Sequence, residues 1–174
     1  MKKPLVTLLL TLTSLALIEV SLEKSVIAEE TIRFVCENHQ GIPTTVAKTP
    51  TESIPIIRWV SDHFAGSGYT PEVRCTEVSR RFQSYYDSGM IKHLTTGRMN
   101  SQSIVCVTSQ DQGPCQGLLF TLKPDSNPNQ TLLELMAVRV SQSTVLNETT
   151  GRVYIDFESY LQEASQTPET TPLW

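Results

Sequence analysis

The residues best suited to do chemistry in this 174-residue chain are its four cysteines, Cys36, Cys75, Cys106 and Cys115. Thiolates bind zinc, but structural zinc sites use closely spaced pairs of the Cys-x-x-Cys kind, and the sequence has neither such a pair nor a nearby pair of histidines. An even number of cysteines in an exported chain is typical of disulfide bonds, and four cysteines allow three connectivities. The pattern therefore predicts two disulfides, with no metal and no other cofactor.

The three histidines, His39, His63 and His93, are scattered along the chain and form no pair at metal-ligand spacing. Ser61, Asp62 and His63 are the residue types of a Ser-His-Asp triad, but adjacent residues on one segment point in different directions. The sequence also lacks a Gly-x-Ser-x-Gly elbow and a glycine-rich phosphate loop. We therefore expect a protein that is not an enzyme and has no catalytic residues.

A few polar and aromatic residues suggest a contact surface. Arg98 and Asn100 follow Gly97 in a predicted loop just before a strand, where binding residues are often presented. The alternative is that Trp59 belongs to the core, and that Arg98 and Asn100 bond loop carbonyls. The candidate contact residues are Arg58, Trp59, Tyr69, Arg98 and Asn100.

The first 28 residues have the pattern of a secretory signal peptide. A short basic start precedes the apolar run 5–18, which suits a signal core and is short for a membrane-spanning helix of about 20 residues. Small or branched residues at 26–28 predict cleavage after Ala28, with one domain at 29–164 and a flexible tail at 165–174. The alternative is an uncleaved anchor, which Glu19 disfavours because a carboxylate within the bilayer costs about a few kcal/mol.

The charge of the chain excludes some classes of partner. Removal of residues 1–28 leaves 11 Lys and Arg against 16 Asp and Glu, a net charge of −5. The sequence has no run of Lys and Arg, so we expect no nucleic-acid partner. The same shortage of basic residues argues against binding to anionic lipid by charge alone.

The clearest local structure is a helix over residues 70–88. Thr70 can cap its N-terminus, and Pro71 suits the first helical position because its missing N–H is unpaired there anyway. An apolar stripe follows at spacings of three and four, formed by Cys75, Val78, Phe82 and Tyr85. This spacing turns Cys75 toward the core, which suits a buried disulfide better than a reactive thiol.

The other elements are predicted from alternation and turn residues. Residues 54–61 are compatible with a strand or with a short helix entered through Pro55. After the central helix, residues 90–94 are expected to add a helical turn, followed by a loop at 95–102. A second helix is expected over 127–141, with Asn127 as its N-cap. Phe157, Tyr160 and Leu161 indicate a short closing helix. Strands are predicted at 32–36, 44–48, 103–108, 117–122 and 152–156. A turn at Gln40 and Gly41 is expected to join the first two strands as a hairpin.

The predicted elements favour one disulfide connectivity. A turn centred on Gln110 and Asp111 would join the strands 103–108 and 117–122 and set Cys106 directly opposite Cys115, where Cβ atoms lie about 4.5–5.5 Å apart. Cys36, inward on the first strand, would then pair with Cys75 on the helix that packs against the sheet.

Several blocks in order make the chain resemble the cyanobacterial circadian-oscillating peripheral membrane protein family. They are FVC at 34–36, IRW at 57–59, GYTPEVRC at 68–75, VSRRFQ at 78–83 and LTTGR at 94–98, continuing through Cys106, Cys115 and the segment 152–156. The resemblance implies an exported, membrane-associated component, and it supplies no catalytic residues to carry over.

Together these features predict an α+β fold: an antiparallel sheet of about four to six strands, two main helices packed on it, and two disulfides. We expect export across the plasma or thylakoid membrane, into the periplasm or lumen. There the protein would be peripheral to the membrane and would contact a membrane-associated protein. The alternatives are a small-ligand or pigment-binding module, which needs an apolar cavity, and a small cell-envelope hydrolase, which needs a cleft joining a histidine to a nucleophile.

Overall fold

A computed structural model describes residues 31–137 and 151–166. The predicted signal peptide, the end of the second predicted helix and residues 167–174 of the predicted tail lie outside this part of the chain. The described elements are β1 (Arg33–His39), β2 (Ile42–Lys48), β3 (Ser53–Arg58), α1 (Pro71–Asp87), β4 (His93–Met99), β5 (Gln102–Thr108), β6 (Gly117–Thr121), α2 (Pro128–Ala137), β7 (Tyr154–Asp156) and α3 (Phe157–Gln166).

The strands form two antiparallel sheets. The strands before α1 make a three-stranded sheet in the order β1-β2-β3, and those after it make a four-stranded sheet in the order β6-β5-β4-β7. The predicted α+β class, with antiparallel strands, packed helices and two disulfides, is confirmed. The single sheet that we expected is divided in two, with α1 between the halves in the sequence.

Two tight hairpin turns rest on residues with positive φ. Gln40 and Gly41 join β1 to β2 with φ values of 54° and 83°, and Asn100 and Ser101 join β4 to β5 with φ values of 48° and 63°. Positive φ at both central residues matches the right-handed twist of the flanking strands. The turn at Gln40 and Gly41 was predicted, whereas the second turn lies where we expected the end of a loop.

The helix α1 forms as its sequence predicts and positions the core. The Thr70 hydroxyl accepts a hydrogen bond from the Val73 N–H, Pro71 is the first helical residue, and Ser88 follows the last turn. The helix packs against β1 and β2 of the first sheet and against β6 of the second. Its buried residues are Cys75, Val78, Ser79 and Phe82.

Aromatic rings from three elements fill the centre of the core. Phe34 of β1 stacks on Phe82 of α1 with ring centroids 5.4 Å apart, and Phe157 of α3 lies 5.6 Å from Phe82. Aromatic side chains bury large apolar areas, so this cluster is a main stabilising contact between the first sheet and the helices. The Phe34 N–H also donates to the Gln83 side-chain carbonyl across the same seam.

Both predicted disulfides are present: Cys36–Cys75 joins β1 to α1, and Cys106–Cys115 joins β5 to the segment before β6. The predicted hairpin register was wrong, however, because Cys106 pairs with Leu118 in the ladder. The connection between β5 and β6 is therefore a longer loop, residues 109–116, in which Gln112 has a φ of 55°.

This loop lies on the face of the four-stranded sheet that points away from the core, called the outer face here. Val105 and Val107 belong to the core cluster, so Cys106 between them points outward. Gly97 of β4 makes room for the disulfide, since a Cβ at this position would lie 2.5 Å from the Cys115 Sγ. The Tyr154 hydroxyl of β7 donates to the Gly113 carbonyl, which fixes the loop at a second point.

The structure corrects the prediction for residues 90–102 and resolves the two alternatives for residues 54–61. The helical turn at 90–94 and the loop at 95–102 were wrong, because residues His93–Met99 form β4 and pair fully with β5. Their alternation was hidden by Thr95, Thr96 and Gly97, whose small or polar side chains give no apolar period. For residues 54–61 the sequence left strand and helix open, and the structure shows the edge strand β3, which ends at Arg58.

Within residues 31–137 and 151–166, no helix is both long and apolar enough to cross a membrane.

Candidate functional site

A groove of about 260 Å³ lies where the end of β3, the start of α1, the segment after β6 and α2 meet. We call it the cationic groove because three of its lining residues are basic: Arg58, Arg74 and Lys123. These residues are far apart in the sequence, so only the fold places them in one concavity. The apolar and polar remainder of the lining is Ile57, Trp59, Val60, Phe120, Leu122, Ser126, Thr131, Glu134 and Leu135.

Arg74 is the most constrained cation in the groove. Its guanidinium lies over the Trp59 ring, 4.5 Å from the centroid, and over the Phe64 ring at 4.9 Å. Burial lowers the pKa of Arg74 from its ordinary value, since the charged form loses water. In the described part of the chain, no carboxylate or carbonyl accepts a hydrogen bond from this guanidinium, so its edge N–H groups are available to another acceptor.

The other basic residues of the groove are also not neutralised by nearby carboxylates. Among the described residues, neither Arg58 nor Lys123 forms an ion pair. Glu134 is the carboxylate in the lining, and its Oε1 accepts a hydrogen bond from the Gln130 side-chain amide at 2.8 Å. The groove thus has a local excess of two positive charges on a chain whose net charge is −4.

The floor of the groove is aromatic and nearly buried. Trp59 is 4% exposed and packs edge-on against Phe120 of β6, with centroids 5.3 Å apart. Its indole N–H donates to the Thr45 hydroxyl at 3.0 Å, and the Ser79 hydroxyl of α1 donates to the same oxygen. Satisfied polar groups hold the Trp59 ring in one orientation beneath Arg74. At the rim, Val60 is 69% exposed.

The predicted contact residues are divided between three places. Arg58 and Trp59 line the groove, while Tyr69 is half exposed just before α1 and does not line it. Arg98 and Asn100 lie at the β4–β5 turn, where Arg98 donates to the Ser101 carbonyl at 3.0 Å. That hydrogen bond corresponds to the alternative considered from the sequence, in which Arg98 bonds a loop carbonyl.

Sequence reasoning selected only Arg58 and Trp59 of the groove residues, and the missed ones include Arg74, Lys123 and Phe120. Arg74 lies outside the apolar stripe of α1, and Lys123 directly follows a strand and belongs to no basic run. One signal was available, since an Arg in the first turns of a helix opposes the positive end of the helix dipole. An aromatic or anionic partner could therefore have been expected for Arg74.

The histidines and hydroxyls do not assemble a nucleophilic or metal centre within the described residues. The Ser61 hydroxyl accepts from the His63 backbone N–H, and the His63 ring packs edge-on against Phe64. His93 lies on the outer face with its Nε2 about 4 Å from carboxylate oxygens of Asp111 and Asp156. No cluster of three or more His, Cys, Asp or Glu in residues 31–137 and 151–166 could hold a metal ion.

Comparison with known proteins agrees with the family resemblance. No match was found among curated proteins or among solved structures. The family model of the circadian oscillating protein COP23 matches residues 33–162. This span includes the seven strands described above, the described helices as far as residue 162, both disulfides and the cationic groove. Because this match covers well over half of the chain, the protein belongs to the circadian oscillating protein COP23 family.

Proposed function

We propose that this chain is an exported, disulfide-stabilised peripheral membrane protein that acts by protein–protein contact at a cyanobacterial membrane surface. It is not an enzyme in this proposal, and the cationic groove is its contact site. Family membership indicates a circadian-oscillating protein. The groove adds a physical means by which such a protein can bind a partner.

The observation that carries the proposal is the composition of the groove. Unpaired cations surround an aromatic floor, and an aliphatic side chain, Val60, is 69% exposed at the rim. Protein interfaces are enriched in aromatic residues and arginine, which often supply most of the binding energy. Trp59 and Arg74 provide both residue types in one stacked pair.

The two disulfides support export. Cys36–Cys75 and Cys106–Cys115 account for all four cysteines, which is compatible with an oxidising compartment. Periplasm and thylakoid lumen both meet this condition. Attachment to the membrane then depends on the partner protein.

The second candidate function, a small-ligand or pigment-binding module, is supported by the aromatic floor of the same groove. The volume of about 260 Å³ falls below the roughly 300–1,000 Å³ that encloses most drug-sized ligands. A groove of this size suits one or two side chains of a protein partner better than a whole pigment. We therefore favour protein contact.

The proposal is tested by site-specific photo-crosslinking in the native cell. A photoreactive amino acid replaces Val60 in the groove, and a matched variant carries it at Met99, which is 43% exposed at the β4–β5 hairpin and does not line the groove. We expect a discrete, light-dependent adduct with a membrane-associated protein from the Val60 position only. Absence of an adduct there, or equal adducts from both positions, would contradict the groove as the contact site.

A further inference from the structure

We propose that the cationic groove recognises an acidic peptide segment, whose carboxylates pair with Arg58, Arg74 and Lys123 while one apolar side chain packs on the floor. The inference rests on the proposed function for its biological setting, because it names the chemistry of the partner. It concerns binding by the purified protein, however, and can be tested without knowledge of the partner.

The stacked guanidinium of Arg74 provides the directional part of this recognition. Its Cζ lies 4.5 Å from the Trp59 ring centroid and 4.9 Å from the Phe64 centroid, so two aromatic rings restrict the guanidinium while no described acceptor occupies its N–H groups. A planar fork of donors held in one orientation matches the two oxygens of a carboxylate. Little side-chain entropy remains to be lost when the carboxylate binds, since the rings already hold the fork.

The remaining charges select for an acidic partner over a neutral one. Arg58 and Lys123 have no ion-pair partner in the described part of the chain, and the Glu134 carboxylate is engaged by Gln130. An incoming carboxylate therefore meets a positive potential without having to displace an internal salt bridge. Charge complementarity of this kind raises the association rate and disfavours neutral or basic segments.

The floor requires an apolar group in addition to the carboxylates. Trp59, Phe120, Leu122 and Leu135 line the concavity, and Val60 extends the apolar surface at its rim. An acidic segment without an apolar residue would leave the exposed Val60 side chain in contact with water, whereas Trp59, Phe120 and Leu122 are already nearly buried. The expected ligand thus alternates acidic residues with a leucine, a phenylalanine or a similar side chain.

An anionic membrane surface fits these observations less well than a peptide. Lipid recognition by charge takes clusters of about four to eight Lys and Arg, each contributing about 1 kcal/mol. The groove has three cations and one glutamate, and the chain as a whole is negatively charged. A concave site with one oriented guanidinium suits a single carboxylate better than a plane of headgroups.

The test uses the purified protein and short synthetic peptides with blocked ends. The first peptide contains several glutamates around one leucine, the second has glutamine at every glutamate, and the third has serine in place of leucine. Affinity is measured by fluorescence anisotropy, and the Trp59 indole N–H signal is followed by NMR, with Trp174→Phe used to assign the two indoles. We expect the first peptide to bind and to shift the Trp59 signal, and both altered peptides to bind about tenfold more weakly or worse.

Variants of the protein identify the groove as the site. Arg74→Gln should weaken binding of the first peptide by about tenfold or more, since it removes a charge-assisted hydrogen-bonding pair. Lys123→Gln, which changes no core contact, should weaken it by about threefold. Arg80→Gln is the matched control, because Arg80 is exposed on α1 outside the groove, and its affinity should equal that of the wild type.

Three results would overturn the inference: equal affinity for the glutamate and glutamine peptides, equal losses from Arg74→Gln and Arg80→Gln, or no shift of the Trp59 signal. Groove-dependent sedimentation with anionic phosphatidylglycerol vesicles, without peptide binding, would assign the site to a lipid headgroup. A crosslink from Val60 combined with no peptide binding would leave the proposed function standing and remove only the acidic ligand. Peptide binding without any crosslink would leave the acidic ligand standing and remove the proposed function.

Discussion

The two disulfides lie in regions that differ in almost every respect except the bond itself. Cys36–Cys75 spans 39 residues and joins the first sheet to α1 at a seam where Cys75 is fully buried. Cys106–Cys115 spans 9 residues and holds one loop against the outer face of the second sheet. The first bond joins elements that enclose the core, whereas the second covers a surface that the core does not need.

This difference teaches that the location of a crosslink decides which part of the fold depends on it. In the chain-entropy model the bonds stabilise by about 4 kcal/mol and about 3 kcal/mol respectively, a modest difference. The larger contrast is in what each bond holds: Cys36–Cys75 reinforces the aromatic cluster around Phe82, and Cys106–Cys115 reinforces residues 109–116. The two regions should therefore respond differently when their bonds are removed.

The largest effect is expected from replacing Cys36 and Cys75 together by Ala. The free energy of unfolding should fall by about 4 kcal/mol, a large share of a typical domain stability of about 5–15 kcal/mol. Urea unfolding at neutral pH measures the loss, and hydrogen exchange should show reduced protection in both β1 and α1. A smaller loss than that of the second disulfide would reverse the comparison.

Replacing Cys106 and Cys115 together by Ala should cost about 3 kcal/mol. The exchange pattern is the sharper readout, because the loop 109–116 should lose protection while α1 keeps it. The Tyr154 hydrogen bond to Gly113 would then be the main remaining attachment of the loop. Loss of protection throughout α1 would show that the outer face supports the core after all.

Gly97→Ala tests the close approach of the second disulfide to β4. An added Cβ would meet the Cys115 Sγ at 2.5 Å, so the loop or the strand must shift, at a cost of about 1–3 kcal/mol. Gly66→Ala is the control, since a Cβ at Gly66 would have no neighbour within 4 Å. The cost should largely disappear when Gly97→Ala is combined with the double Cys106 and Cys115 replacement, and a cost that persists would place its cause in the strand.

The smallest effect on stability is expected at Asp156, the last residue of β7, which directly precedes α3. A hydrogen bond from the Ser159 backbone N–H holds the pKa of the Asp156 carboxyl below its ordinary value of 3.8, with a further contribution from His93. A lowered pKa means that this stabilisation is complete above pH 3.8 and is lost as the pH falls through the lower, folded-state pKa.

Asp156→Asn should keep the cap and lose this acid dependence, whereas Asp156→Ala should also lose about 0.5–2 kcal/mol at neutral pH. Urea unfolding at several pH values between about 2.5 and 7 measures both effects. An unchanged acid dependence in Asp156→Asn would assign it to other carboxylates, such as Glu37 beside Lys48.

Local signals carried most of what the sequence could predict. The start of α1 is determined by Thr70 and Pro71, and the first hairpin by Gln40 and Gly41, because caps and turns depend on adjacent residues. The disulfide map was also predictable, since Cys36 and Cys75 face inward on elements that pack together, and Cys106 and Cys115 lie on neighbouring segments joined by a short connection. The register between β5 and β6 was wrong because the loop crosses the sheet over Gly97, a contact between distant segments.

The groove could not be predicted for the same physical reason. Arg58, Arg74 and Lys123 come from a strand, a helix and a connection, and no spacing in the sequence relates them. Trp59 and Arg58 were selected as single residues, but the stacking of Arg74 on Trp59 depends on how α1 packs across the end of β3. A count of charges shows a chain without a basic run, and the fold alone creates a local basic site.

The disulfide map also has a consequence for the order in which the chain can oxidise. The first cysteine pairs with the second and the third with the fourth. A chain that enters an oxidising compartment N-terminus first presents Cys36 and Cys75 before either later thiol arrives, so each attacking thiolate meets its native partner first. Native pairing then requires an oxidant but no reshuffling of a wrong bond through mixed disulfides. Such connectivity suits a compartment with little isomerase activity.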